Sequence, residues 1–324
     1  MHIAIIGSGI AGLACGQRLR TEGVQVTLFD KARGPGGRLS TRRGTDWQAD
    51  LGAQYFTARD PAFQAAVQAW QGGGVVAPWH GSLVWLDRGV ATPVDDDRVR
   101  WVGTPRMSAI TRHLATGLDL RAQHAVQRIA DAPEYGWQLH TTDDEIHGPF
   151  DGIAVAVPAV QAAPLLRPVA PTLAAQADAT PMQGCWSAAL RVAADPPAFD
   201  GAFVIDAPLR WFARDGSKPG RSDPDIWVVH GAADWSDARI DEDPATIGPE
   251  LVDAWCRATG CEHTPTLLTV HRWRYSQSAA PLTDGCLFDA DGRIGACGDW
   301  CHGDRVEGAW CSGQRLAERL LGRP

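Results

Sequence analysis

Gly7, Gly9 and Gly12 stand in the spacing G-x-G-x-x-G, and Asp30 follows Gly12 by 18 positions, near the ~20 at which an acid accepts the hydroxyls of a nucleotide ribose. Glycines so spaced have separate tasks: a tight turn, close approach of backbone to a pyrophosphate, and close packing of helix on strand. The chain then enters KARGPGGRLSTRR, where Arg38 follows a glycine-rich bend that can fold back over a cofactor and set a guanidinium against a diphosphate. In DLGAQYFTARD, residues 50–60, Gly52 and Ala53 permit close backbone approach. Gln54, Tyr55 and Phe56 follow, and in an extended segment Thr57 and Arg59 point hydrogen-bonding groups the other way, so that one face meets a ring system and the other a substrate. Much later, Gly298 and Asp299 end a short apolar run, which places Asp299 to accept hydrogen bonds from polyol hydroxyls. Glu307, Gly308 and Ala309 open a helix whose N-terminus faces the same ligand. The chemistry in view is the binding of a long dinucleotide; no obligatory nucleophile or acid–base pair accompanies it.

The elements that must hold these residues follow from the apolar pattern. Ile3 to Ile6 reads as a buried parallel strand, the segment with Leu13, Gln17 and Leu19 as a helix ending at Gly23, and Val24 to Phe29 as a second strand ending in Asp30. Pro61 to Gln71 reads as a helix with Phe63, Val67 and Trp70 on one face, and Met107, Ile110, Leu114 and Leu118 mark another. Leu83 to Leu86 with Val90 to Val94 suggests a hairpin, and Ala125 to Ala130 with Trp137 to Thr142 a second strand pair. Gly152 to Val157 is an unbroken apolar strand, and Ile294 to Cys297 a shorter one. Between Gln161 and Ala280 prolines become frequent and strands alternate with turn clusters (Cys185 to Val192, Ala202 to Ile205, Leu209 to Arg214, Asp225 to Gly231, Leu267 to Tyr275), with one helix, Ile247 to Thr259. The expected fold is α/β: a discontinuous Rossmann-like domain from residues 1–80, 100–160 and 281–324, and an inserted β-rich α+β substrate domain from residues 81–99 and 161–280.

Composition narrows the function classes. A chain of 324 residues suggests about two domains. Its net charge of −8, from 30 basic and 38 acidic residues without a basic stripe, argues against nucleic acid and anionic membranes as partners. The longest apolar run, Ile153 to Val157, stops at Pro158, far short of the ~20 residues that span a bilayer. The chain starts directly with a strand, so a cytoplasmic protein is expected. The eight cysteines match no zinc or thiol-redox spacing and read as small buried hydrophobes; no metal site is expected.

GSGIAGL, the acid Asp30, GPGGR, DLGAQYF and GDW…VEGAW…SGQ together resemble the FAD-containing amine-oxidase superfamily. DKARGPGGRLSTRR, GAQYFTARD, RWVGTPRMSAI, MQGCW, HRWRY and GDWCHGDRVEGAWCSGQ resemble the bacterial renalases in particular, from the first strand to the last helix. The resemblance implies non-covalent FAD and oxidation of the 2- and 6-dihydro isomers of NAD(P)H to NAD(P)+ by hydride transfer to FAD, with dioxygen reduced to hydrogen peroxide, a metabolite-repair activity. It implies that Gly7, Gly9, Ala11 and Gly12 hold the pyrophosphate, Asp30 the adenosine ribose, and Lys31 and Arg38 the flanks of the phosphates. Val126 would touch the adenine, Gln54 and Tyr55 the flavin end, Asp299 the ribityl chain, and Glu307, Gly308 and Ala309 the isoalloxazine or phosphate. Tyr55, Thr57, Arg59, Trp101, His271 and Trp273 would meet the substrate. An amine oxidase or desaturase on the same scaffold, and a non-catalytic dinucleotide-binding protein, are the competing readings.

Overall fold

Ile3, Ala4 and Ile5 are inaccessible on both faces of their strand, the situation of a central strand in a parallel sheet covered on both sides. The computed structural model describes residues 1–132, 135–205, 208–223, 225–303 and 305–323. It places strand His2–Ile6 between Gln25–Asp30 and Gly152–Val155, parallel to both. Ile294–Ala296 and Asp119–Ala122 extend the sheet in parallel on either side, and Leu287–Asp289 closes one edge antiparallel, giving six strands. Helix Ile10–Thr21 crosses from the first strand to the second, and helix Val306–Leu320 lies against it. The two helices approach so closely at Gly313 that a β-carbon there would collide with the carbonyl oxygen of Ala11.

A second sheet of seven strands carries the rest of the long insertion. Its order is Thr266–Ser278, Met182–Arg191, Ile226–Gly231, Leu209–Arg214, Gly201–Val204, Leu83–Asp87 and Val90–Pro93, so the early hairpin adds to strands formed about a hundred residues later. Helix Pro244–Thr259 covers one face, burying Trp255 against Trp186, Trp227 and Phe212. Each such side chain contributes roughly 1.5–3 kcal/mol by leaving water.

Several expectations need correction. The span 161–280 holds more than one helix: Pro171–Asp178 and the short Ala233–Asp237 also form, and Ala159–Leu166 crosses its start. Ala159–Leu166 and Pro171–Asp178 are short, alanine-rich and interrupted or opened by Pro164 and Pro171, so their helical period is faint. Ala162, Leu166 and Ala174 join the core cluster that holds Ile6 and Phe29 of the parallel sheet. The helix expected from Ile247 begins at Pro244, because the Asp243 side chain accepts the Ala245 N–H and caps it there. The strand expected to end at Tyr275 continues to Ser278. Strand Ile146–Phe150 adds a third member to the pair Val126–Asp131 and Trp137–Thr141. All eight cysteines are free, five of them buried. Among the described residues no helix is long and apolar enough to cross a membrane.

Candidate active site

A cavity of about 1400 Å³ runs from the first glycine turn to the inner surface of the second sheet, more than the ~300–1,000 Å³ of a pocket for one drug-sized ligand. Of the residues singled out from sequence, Gly7, Gly9, Ala11, Asp30, Lys31, Arg38, Gln54, Tyr55, Thr57, Arg59, Val126, His271, Trp273, Asp299, Glu307 and Ala309 line it. Gly12, Trp101 and Gly308 do not.

The three glycines divide their tasks by geometry. Gly7 has φ +106, in the region L side chains avoid, and a β-carbon there would lie 2.5 Å from the Ala156 carbonyl oxygen. Gly9 faces open space, with nothing within 4 Å of a β-carbon, and it precedes a helix that no side chain caps. The first N–H groups of that helix are left for a ligand, and an anion suits them. Gly12 is a packing glycine: a β-carbon would strike the Gly7 carbonyl oxygen.

Asp30 is pinned by the same loop. Its Oδ2 accepts the Ser8 N–H at 2.7 Å and the Ser8 hydroxyl at 2.6 Å, and its Oδ1 accepts the Ala32 N–H at 2.8 Å. The glycine-rich bend folds back as expected, with the Gly36 N–H donating to the Ser8 carbonyl at 3.2 Å. Arg38 at its end turns to the far side of the cavity. Nη1 and Nη2 donate to the two carboxylate oxygens of Asp299 at 2.7 and 2.5 Å, and Nη1 also reaches the Ser276 carbonyl at 2.9 Å. Asp299 is thus paired with a cation inside the protein, and Arg38 binds three segments together.

Glu307 also has a fixed partner, its Oε1 accepting the backbone N–H groups of Arg59 and Asp60 at 2.6 and 2.5 Å. This joins the GAQYFTARD segment to the start of the last helix. Trp101 acts through its backbone, exchanging hydrogen bonds with Phe56 at 2.8 and 2.9 Å. Gly308 is a packing residue like Gly12, its β-carbon position blocked by the His302 carbonyl.

Deeper in, a buried polar chain appears that the sequence did not announce. Gln54 donates its amide to the Asp50 and Gly52 carbonyls and accepts from Lys218 Nζ at 3.0 Å, and Lys218 is paired with Asp215 at 2.8 Å. The lysine side chain is fully buried and that of Asp215 only 2% exposed. Burial pushes the Asp215 carboxyl above its usual range, and the Lys218 charge opposes that shift. Lys218 lies in DGSKPG, which reads as a solvated loop, yet the chain has only two lysines, Lys31 and Lys218, beside many arginines. That scarcity was the available signal. Beside it, Asp50 and Arg221 form a second pair at 2.5 Å, almost fully buried.

Aromatic side chains wall the inner end. The Tyr55 ring centroid lies 5.6 Å from Trp211 and 6.2 Å from Trp79, with the Arg100 guanidinium 5.5 Å away over its face. His271 meets Trp273 edge-on at 4.2 Å. The Leu51 carbonyl accepts from both Trp273 Nε1 at 3.0 Å and His230 Nε2 at 2.9 Å. Burial drives His230 down to about 3, so the ring stays neutral at neutral pH. Burial, followed by the Arg42 charge, lowers His271 as well. Cys185 lines the cavity with its thiol pushed by burial up to about 11, leaving it protonated. His230 and Arg210 also line the cavity and carry no motif that marks them in the sequence, whereas Cys185 lies in the MQGCW stretch.

The residues fit FAD: an uncapped helix N-terminus over an open glycine for the diphosphate, an oriented acid at the end of the second strand, and a long cavity beyond. Comparison with known proteins agrees. The model of an NAD(P)-binding Rossmann-like domain matches residues 5–70, and that of flavin-containing amine oxidoreductases matches residues 80–321. A bifunctional protein for tRNA 5-methylaminomethyl-2-thiouridine biosynthesis from Magnetococcus marinus is 30% identical over 52% of this chain and 31% of its own length. The L-amino acid oxidase Cdc18 of Crotalus durissus cumanensis is 43% identical over 16% of this chain and 10% of its own. A 4,4'-diapophytoene desaturase of Staphylococcus haemolyticus is 42% identical over the same shares. The chain therefore spans less than a third of the length of these relatives. A crystal structure described as a "putative protoporphyrinogen oxidase" from Exiguobacterium sp. 255-15 superposes with a TM-score of 0.80 over 99% of both chains at 13% identity, a likeness of fold.

Proposed function

The chain belongs to the flavin-containing amine oxidoreductase family, and from that membership we propose that it is an FAD-dependent oxidase of the 2- and 6-dihydro isomers of NAD(P)H. FAD, when bound, supplies a hydride acceptor that dioxygen regenerates with release of hydrogen peroxide. The observation that carries the reading is the character of the lining: Tyr55, Trp211 and Trp273 offer flat apolar walls, and Arg59 and Arg210 offer cations, while Arg98 and Arg274 are paired with Asp96 and Asp241. The acids of the lining are engaged, Asp30 by Ser8 and Ala32, Asp299 by Arg38, and Glu307 by backbone N–H groups. Such a surface suits a planar ring on a phosphate-bearing carrier better than an aliphatic ammonium.

The residues then have these tasks. Gly7, Gly9, Ala11 and the helix they open receive the cofactor diphosphate, with Lys31 beside it and Asp30 on the adenosine ribose. Val126 borders the adenine. Gln54, fixed by Lys218, and Tyr55 border the flavin end; Asp299 stands at the ribityl chain with Arg38 holding its orientation. Thr57, Arg59, His271 and Trp273 enclose the substrate. Loss of hydride from a dihydropyridine leaves an aromatic cation, so the protein needs no base; its contribution is to hold the donor carbon in line and keep water out. Membership of the early hairpin in the second sheet supports the assignment of residues 81–99 to the substrate side, whereas the packing of residues 159–178 on the parallel sheet favours a boundary nearer residue 180.

A second reading, an oxidase of amines or amino acids, draws support from the facing rings of Tyr55 and Trp211. Anaerobic mixing of the FAD-loaded protein with each dihydro isomer, with NADH and with simple amines separates the readings by flavin absorbance. Bleaching by a dihydro isomer faster than by NADH is expected. Faster bleaching by an amine overturns the proposal in favour of the second reading, and retention of oxidised FAD with every donor leaves a non-catalytic dinucleotide-binding protein.

A further inference from the structure

Beside Phe29, at the edge of the cavity that His124 helps to line, three donor atoms converge. Nε2 of His124 lies 3.4 Å from Oε2 of Glu145, and Nε2 of His147 lies 3.2 Å from the same oxygen. One ligand atom from each of the three residues falls within 4.8 Å of the others. Donors held at 2.0–2.1 Å around a tetrahedral metal are separated by about 3.3 Å, which matches both distances.

The hydrogen bonding around these atoms calls for a cation between them. His124 Nδ1 is 2.9 Å from the Ala122 carbonyl. A carbonyl only accepts, so Nδ1 carries the proton and the lone pair of a neutral ring sits on Nε2, aimed at a carboxylate oxygen. Two lone pairs facing one another repel. His147 Nε2 is buried and makes no hydrogen bond despite its 3.2 Å approach to Glu145. A ring nitrogen fixed by a backbone carbonyl on one side and open on the other is the usual second-shell arrangement of a ligating histidine.

We propose that His124, His147 and Glu145 form a site for a divalent zinc ion, with the fourth position open to water. The ligands come from separate segments: His124 follows the sheet strand Asp119–Ala122, and Glu145 and His147 belong to the turn and strand of the hairpin that ends at Phe150. The His124 N–H donates to the Asp30 carbonyl at 2.9 Å, and the Phe29 ring packs against His147 at 4.9 Å. Zinc here would clamp the three-stranded sheet onto the residue proposed to hold the cofactor ribose.

The test uses FAD-loaded protein stripped with a chelator, dialysed, and titrated with zinc chloride by calorimetry, alongside Glu145→Gln and His147→Gln. Glu145 is half exposed, so its substitution leaves the fold intact. One zinc per chain is expected, with affinity weakened about 100-fold or more in each variant, and cobalt substituted for zinc should give the strong visible bands of a four-coordinate site in the native chain alone. A stoichiometry well below one, or equal binding by the native chain and both variants, overturns the proposal.

Discussion

Arg38 and Asp299, 261 positions apart, share two parallel hydrogen bonds at 2.7 and 2.5 Å, and the carboxylate they satisfy is only 7% exposed. Removing one partner of such a pair strands the other. Arg38→Met is expected to lower unfolding stability by about 3 kcal/mol, near the low end of the range for buried pairs because the guanidinium still meets water. It should also speed FAD release. Denaturant unfolding and fluorescence of released flavin check both, and an unchanged midpoint would show that Asp299 finds compensation elsewhere.

Lys218 and Asp215 form a pair with almost no contact with water. Lys218→Met is expected to cost roughly 3 kcal/mol at neutral pH, and the double variant with Asp215→Asn to cost less than the single one. The carboxyl left alone in Lys218→Met has a folded pKa raised above its unfolded value, so its burden grows as pH rises. The difference from the native protein should therefore narrow between pH 7 and pH 5 in melting experiments; a constant difference counts against burial of the charge.

Gly9 and Gly12 differ in what surrounds them, and substitution should separate binding from folding. At Gly9 a methyl group meets no protein atom. Gly9→Ala should leave the flavin-free protein as stable as before and weaken FAD by about tenfold or more, since the methyl enters the diphosphate's space. At Gly12 the methyl meets backbone, and Gly12→Ala should lower stability even without FAD. Calorimetric melting with and without FAD distinguishes them.

His230 titrates in the folded protein at about 3, below its ordinary 6.5. As pH falls through 6.5 the unfolded chain takes the proton and the folded one does not, so stability is full above about pH 6.5 and declines toward pH 3. The decline should reach about 1–2 kcal/mol by pH 5. His230→Gln, whose amide can still donate to Leu51, should melt with a shallower pH dependence over that window; identical profiles would place the proton-linked loss at another group.

The parallel sheet and the glycine turn after its first strand were legible because each rests on local signals: apolar runs, glycine spacing and an acid at a strand end. The roles of Arg38, Glu307 and Trp101 were harder to read. Each residue was visible, but its partner lies far away in sequence, and a guanidinium beside glycines reads equally as a phosphate ligand or as half of a buried pair. Lys218 and His230 come from a turn and a strand whose local pattern reports only burial or solvation, so nothing short of the folded sheet aims them at the cavity. His124, Glu145 and His147 escaped for the same reason, since their spacing matches no ligand pattern until the hairpin folds back.

The first strand, His2–Ile6, pairs with Gln25–Asp30 on one side and with Gly152–Val155 on the other, and Asp299 reaches Arg38 only from the last quarter of the chain. During synthesis from the N-terminus the glycine turn therefore precedes its far neighbour strand, and Arg38 precedes its partner Asp299 by 261 residues. A nascent chain thus presents the glycine loop before the clasp between Arg38 and Asp299 can form.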